Sequence, residues 1–429
     1  MNRKSIPSTN SPARILIASM AGTAIEFFDF YIYATAAVLV FPKLFFPSSD
    51  ATAATLESLA TFALAFFARP VGSAIFGHFG DRVGRKTTLV AALLTMGFST
   101  VAIGFLPTYA TIGMTAPILL ALCRLGQGLG LGGEWGGAIL LATENAPVGK
   151  RSWYGMFPQL GAPVGFICSG GLFLLLSLCL SNEQFLSFGW RLPFLASSAL
   201  VLIGLYVRLK ITETPDFLSA MAKHERVDIP LFTVLKAHLK VLVLGTMIAV
   251  ATFVLFYLLT VFCLSWGTTH LGYHRNQFLL IQMVGVLFFA GTIPFSAALA
   301  DRLGGRKTMI ASSLLITLFG FTLGPLFSAG IWGVLATLIV GFSLMGMTYG
   351  PLGTLLASLY PTAVRYTGSS ASFNMAGIFG ASLAPYIATS LAMRFGLHAV
   401  GYYLSAAALL SLFAVVLTNE MHQQSGESR

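Results

Sequence analysis

Hydrophobic positions along this chain come in long runs separated by short polar, glycine- or proline-bearing segments. A run of ~20 apolar residues is the length that crosses the hydrocarbon core of a bilayer as an α-helix. Read this way, the pattern predicts helices at 15–40, 55–78, 87–106, 113–141, 154–179, 190–209, 239–265, 276–299, 308–327, 331–356, 368–392 and 398–418. The roughly ten-residue alternating segments of a membrane barrel do not occur, so the chain reads as an all-α membrane protein with twelve transmembrane helices.

Composition supports that reading. Charged residues make up 9% of the 429 positions and hydrophobic ones 56%, with a mean hydropathy of +0.81. A soluble domain carries about 25% charge. In lipid every backbone polar group must pair internally, which long helices achieve. The net charge of +10 raises the question of nucleic acid, and its placement answers it. Of the 25 Lys and Arg, Arg69 and Arg124 lie inside spans, and Lys43, Arg191, Arg275 and Arg394 lie in loops on one side. All the others fall on the side of the two termini. That bias predicts a multi-pass protein with both termini cytoplasmic and no nucleic-acid partner. Residues 1–14 are polar and basic, without a small-residue cleavage site before the first apolar run, and are read as leading into an uncleaved span. Cys123, Cys168, Cys179 and Cys263 lack metal-ligand spacing, and no metal site is expected.

The chain repeats itself. Gly77-His-Phe-Gly-Asp81-Arg82-Val-Gly84-Arg85-Lys86-Thr87 follows the second helix, and Ala297-Ala-Leu-Ala-Asp301-Arg302-Leu-Gly304-Gly305-Arg306-Lys307-Thr308 follows the eighth. Asn145-Ala-Pro147-Val-Gly-Lys150-Arg151 after the fourth helix is matched by Tyr360-Pro361-Thr-Ala-Val-Arg365 after the tenth. Two motifs recurring in order imply duplication of a six-helix unit, with a site expected near the midplane between the halves. The division predicted is 1–209 for the first bundle, 210–238 for a cytoplasmic linker broken at Pro215 and Pro230, and 239–429 for the second bundle.

The Asp-Arg-x-Gly-Arg-Lys loop and its relic resemble the signature of the major facilitator superfamily. Three further stretches resemble its metabolite:proton symporter branch, which includes α-ketoglutarate, citrate, shikimate and proline/betaine carriers. They are Gly22-Thr-Ala-Ile-Glu26-Phe-Phe-Asp29-Phe-Tyr31, Arg124-Leu-Gly-Gln127-Gly128-Leu-Gly-Leu-Gly-Gly133-Glu134-Trp-Gly-Gly137, and Glu213-Thr-Pro215-Asp-Phe217. The resemblance covers the whole chain. It implies two pseudo-symmetric six-helix bundles in the bacterial cytoplasmic (inner) membrane, and a monomer without cofactor that uses the proton as coupling ion. Its solute would be a small organic acid or a zwitterionic metabolite, most readily one bearing a carboxylate.

Five ionisable residues fall within spans: Glu26, Asp29, Arg69, Arg124 and Glu134. Each costs ~2.5–3.5 kcal/mol at a helix centre, so each must face a cavity or a partner. Glu26, Asp29 and Tyr33, spaced by three and four, share one face of the first helix. That face is expected on a central cavity with one carboxylate carrying the proton, the alternative being that both carboxylates neutralise Arg69 and Arg124. By resemblance Arg124 belongs to proton coupling, and its fork also suits a substrate carboxylate. Arg69, before Pro70, can bind an anion or the local helix defect. Glu134 is a second coupling carboxylate or the partner of a loop arginine. Gln127, with Tyr257, Gln282 and Asn374 from the second half, completes the solute-binding candidates. Phe256 is placed beside them, with Trp135 and Trp266 as lesser candidates. By resemblance Asp81, Arg82, Arg85 and Lys86 form a cytoplasmic gate, with Asp301 and Arg302 a weaker counterpart because Gly305 lengthens that loop.

The glycines from Gly126 to Gly137 crowd one helix and permit close helix contact. A dinucleotide site would need a preceding strand and an aqueous loop, which are not available here. A drug/proton antiporter is the rival reading, since the loop motif fits it equally. Against it, Gln159-Leu-Gly161-Ala-Pro163-Val-Gly165 matches the antiporter pattern only loosely, and two intramembrane arginines suit an anion better than a lipophilic cation. An enzyme is not expected, because the spans hold no nucleophile–base pair and no histidine cluster.

Overall fold

A computed structural model describes residues 12–47, 50–83, 85–144, 146–210, 230–361 and 364–426. The fold is all-α, with twelve transmembrane helices in two pseudo-symmetric six-helix bundles. The first bundle comprises α1 (Pro12–Leu39), α2 (Ala51–Val83), α3 (Arg85–Phe105), α4 (Thr115–Leu131, resumed as Trp135–Glu144), α5 (Arg151–Cys179) and α6 (Arg191–Lys210). The second comprises α7 (Leu239–Tyr257, a π-helical turn Leu258–Phe262, then Cys263–Thr269), α8 (Arg275–Leu303), α9 (Gly305–Phe327) and α10 (Gly330–Ser358). It is completed by α11 (Arg365–Ala376, a π-helical Gly377–Ser382, then Ala384–Phe395) and α12 (Leu397–Gly426). Among the described residues nine helices are long and apolar enough to cross a bilayer unaided. A pair bent by 44°, Asn182–Gly189 with Arg191–Tyr206, is a tenth, and α1 and α3 complete the set.

Three helices depart from the continuous spans expected. α4 breaks at 132–134, where the carbonyls of Gly132 and Gly133 accept side-chain hydrogen bonds from α2 and α11 instead of continuing the helical ladder. α7 and α11 each widen into a π-helical turn, which frees carbonyls that need other donors. The linker expected at 210–238 lies for the most part (211–229) outside the described residues, and a short helix, Pro230–Ala237, precedes α7.

The crowded glycines of α4 sit where backbones meet. A Cβ at Gly128 would strike the backbone of Ala65 on α2, one at Gly130 that of Ala92 on α3, and one at Gly136 the Ser370 side chain of α11. Small residues thus let α4 approach three neighbours closely, where lipid gives no hydrophobic drive for association. α7 is the most enclosed span, apolar along its length and almost wholly buried. So apolar a helix, turned inward, places the protein core at the seam between the bundles. Because the number of helices is even, the starts of α1, α3 and α5 and the ends of α8, α10 and α12 share one face. This is called the basic face below, after the loops it carries.

Candidate functional site

A narrow cavity lies on the seam. Glu26, Phe27, Phe30 and Tyr31 line it from α1, Arg69 from α2, Leu131 and Trp135 from α4, and Ala162 from α5. Thr252, Phe253, Phe256 and Tyr257 of α7, Phe289 of α8, Met345 and Tyr349 of α10, and Phe373 and Asn374 of α11 form the facing wall. Of the described residues, those of α3, α6, α9 and α12 contribute nothing to the lining. These helices instead present large apolar side chains such as Phe98, Leu202, Leu318 and Phe413 outward. The charged lining groups, Glu26 and Arg69, come from the first bundle, and the second supplies hydroxyls, rings and an amide.

Arg69 is 6% exposed and lies over the rings of Phe30 and Phe66, at 4.6 and 4.8 Å from their centroids. Tyr257, Tyr31, Tyr349 and Glu26, all of which line the cavity, act electrostatically on it. Its Nε has no hydrogen-bond partner among the described residues.

Arg124 behaves differently. It is fully buried inside the first bundle, its Cζ 4.3 Å from the Phe30 ring, 4.1 Å from Tyr33 and 4.8 Å from Phe62. Its Nε donates to the Phe62 carbonyl at 3.2 Å and its Nη1 to Gln127 Oε1 at 2.9 Å. Gln127 Nε2 in turn donates to Thr100 Oγ1 at 2.8 Å. Thr100 also borders the carboxylate of Asp29, which accepts from Ser197 Oγ at 2.6 Å. The expectation that Glu26, Asp29 and Tyr33 present one face to the cavity therefore needs correction. Glu26 lines the cavity, whereas Asp29 and Tyr33 turn into the first bundle, toward α3, α4 and α6. The reason is that Phe30 and Phe62 fill the space between, so the phenol ring covers Arg124 instead of a solute. Arg124 and Gln127, offered as solute ligands, belong to the same walled-off network. Glu134 is buried at the α4 break and is not part of the lining.

From the second bundle, Tyr257 and Asn374 line the cavity and Gln282 does not. Gln282 donates to the carbonyls of Leu259 and Thr260, both at 2.9 Å, and so satisfies the π-helical turn of α7. Asn374 has a second task, since its Nδ2 donates to Ser73 Oγ of α2 at 2.9 Å and to the Gly132 carbonyl of α4 at 3.2 Å.

Contacts between the bundles close over the cavity on both sides. Toward the basic face, Trp135 stacks on Phe373 at 3.7 Å and donates to Gln159 at 3.0 Å, and Gln159 donates to the Tyr349 carbonyl at 2.9 Å. Tyr366 bonds the Gly133 carbonyl. At that face Asp301 accepts from the backbone N–H groups of Ser152 (2.8 Å) and Trp153 (2.9 Å), which caps the start of α5. Arg302 is exposed, while Arg306 donates to the carbonyls of Val415 and Val416 on α12. The side chains of Asp81, Arg82, Arg85 and Lys86 lie outside the described residues. At the opposite face Arg275 donates to Ser177 Oγ (2.5 Å) and Asn182 Oδ1 (3.0 Å) and stacks over Phe185 at 4.0 Å.

Sequence reasoning counted Arg275 only as a loop charge, and did not single out Tyr31, Tyr349, Thr252 or Gln159. Their types are ordinary for a membrane helix. Only the position of Tyr349 in the tenth helix, the repeat counterpart of the fourth helix with its charged motif, could have drawn attention to it.

A helical membrane bundle in two similar halves, with a polar-edged cavity on the seam and closures on either side of it, has the build of a carrier for small solutes. The chain belongs to the Major Facilitator Superfamily, whose family description matches residues 19–378. It is a transporter, not an enzyme. It is 58% identical over 422 residues to the inner membrane metabolite transport protein YhjE of Escherichia coli, covering 97% of this chain and 96% of that one. It is 36% identical to the shikimate transporter of the same organism over 425 residues, covering 96% of each. A crystal structure of a D-xylose-proton symporter superposes with a TM-score of 0.74 at 18% identity, over 95% of this chain and 97% of that one, and so shares the fold.

Proposed function

We propose that the protein is a proton-coupled symporter that moves a small organic acid or zwitterionic metabolite by alternating access. The observation that carries this reading is that Glu26 and Arg69 line the same cavity, over which both bundles close. A guanidinium in a low-dielectric cavity attracts a carboxylate strongly, and a carboxylate nearby offers a place for the accompanying proton. Glu26 meets the solute directly. Asp29, one turn along α1, is joined through Ser197 and Thr100 to the network around Arg124 and lets the first bundle respond to protonation. Glu134, at the α4 break, adds a carboxylate beside the Trp135 closure. The loop after α2 (Asp81, Arg82, Arg85, Lys86) and the Asp301 cap with Arg302 form the gate of the basic face. In this reading that face is cytoplasmic, the membrane is the bacterial inner membrane, and one chain suffices. Arg69 on the cavity opposes the antiporter alternative, because it would repel a lipophilic cation.

The test uses proteoliposomes loaded with a pH dye, to which a pool of organic acids and amino acids is added under an imposed proton gradient. Wild-type protein is expected to admit protons with solute, and Glu26→Gln or Asp29→Asn to lose uphill accumulation while keeping a folded size-exclusion profile. Undiminished accumulation in both variants, or solute entry without protons in the wild type, would sink the coupling scheme.

A further inference from the structure

The cavity holds fewer charges than the sequence offered. Two intramembrane guanidiniums could have clasped a dicarboxylate, but the fold places only Arg69 on the cavity. The Phe30 ring stands beside both, 4.6 Å from Arg69 Cζ and 4.3 Å from Arg124 Cζ; Arg124 gives Nε to the Phe62 carbonyl and Nη1 to Gln127, and although its Nη2 has no partner among the described residues, it does not line the cavity. Two buried polar atoms that line the cavity have no partner among the described residues: Arg69 Nε from the first bundle and Thr252 Oγ1, on a residue 1% exposed, from the second. Buried polar groups left unmatched are costly and usually mark a missing ligand or water.

We propose that the cavity takes a solute with one carboxylate and rejects di- and tricarboxylates. The inference rests on the reading of this cavity as the solute site. The carboxylate sits on Arg69 among the hydroxyls of Tyr31, Tyr257 and Tyr349. The body of the solute lies against the apolar wall of Trp135, Phe253 and Phe373, with one polar group reaching Thr252. A guanidinium fork matches one carboxylate. A second carboxylate would face rings and the Glu26 side chain, and burying it unpaired is prohibitive.

The experiment measures thermal stabilisation of the purified full chain by matched acids. The pairs are pyruvate against 2-oxoglutarate, proline against glutamate, and cyclohexanecarboxylate against trans-1,2-cyclohexanedicarboxylate, with choline and glycerol as carboxylate-free controls. One or more monocarboxylates should stabilise the protein and their two-carboxylate partners should not. Arg69→Gln should weaken monocarboxylate binding by about tenfold to a hundredfold, the range for losing a charge-assisted hydrogen bond. Tyr257→Phe, which keeps the ring, should weaken it several-fold and guards against a misfolded arginine variant. Equal or stronger Arg69-dependent binding of dicarboxylates would overturn the one-carboxylate inference and leave the cavity reading standing. Monocarboxylate binding indifferent to both variants would overturn the cavity reading itself. Stabilisation by choline or glycerol alone, or by none of the acids, would overturn the inference as well.

Discussion

Glu26 and Asp29 sit three residues apart on α1, and Arg69 and Arg124 are both intramembrane arginines, yet one of each pair lines the cavity and the other is walled off. Ring placement makes the difference. Phe30, Tyr33 and Phe62 give Arg124 three faces, each a cation–π contact of ~0.5–2 kcal/mol, which offsets part of the cost of burying it away from solute and water. Helical spacing could show that Glu26, Asp29 and Tyr33 share a stripe, but not which way a helix with apolar residues all round would be turned. For the same reason the sequence identified Gln282 as a polar residue in a span and missed its target. That target is testable. Gln282→Leu leaves the Leu259 and Thr260 carbonyls without their side-chain donor, at a cost of about 1–3 kcal/mol. The melting temperature of the detergent-purified protein should fall by several degrees while solute selectivity is retained. An unchanged melting temperature would show that the π-helical turn does not depend on this amide.

At the scale of elements, the number and order of the helices were legible because bilayer thickness imposes a run length that the composition repeats faithfully. The breaks were not. The interruption of α4 depends on donors from α2 and α11, and the π-helical turns of α7 and α11 on contacts distant in sequence. The clamping of α5 by α8 at both ends was equally hidden, since it joins Asp301 to Ser152 and Trp153 across 149 and 148 residues, and Arg275 to Ser177 across 98. Asp301→Ala removes an acceptor for two first-turn amides and a charge that complements the helix dipole, an effect of about 1–2 kcal/mol. Hydrogen–deuterium exchange should therefore quicken in the first turns of α5, with little change at its Ser177 end. Identical exchange across α5 would mean that the cap does not hold this closure.

For the whole molecule, the duplicated loops made the two-bundle architecture readable before any coordinates. They did not reveal how unequal the bundles are in chemistry. The first supplies the charged lining groups and a buried polar network, and the second supplies α7, the most enclosed helix, with Thr252 and Tyr257 facing the charges. The rocking proposed above would break either the contacts toward the basic face, made by Asp301, Tyr366, Trp135, Gln159 and Asn374, or those of Arg275 at the opposite face. The most direct measurement of this account is the accessibility of a single cysteine placed at Thr252 in a cysteine-free background. Sealed vesicles of both orientations would be treated with a membrane-impermeant maleimide, with and without a bound monocarboxylate. Alternating access predicts slow labelling from each side and protection by the solute. Labelling from one side alone, or from neither, would contradict it.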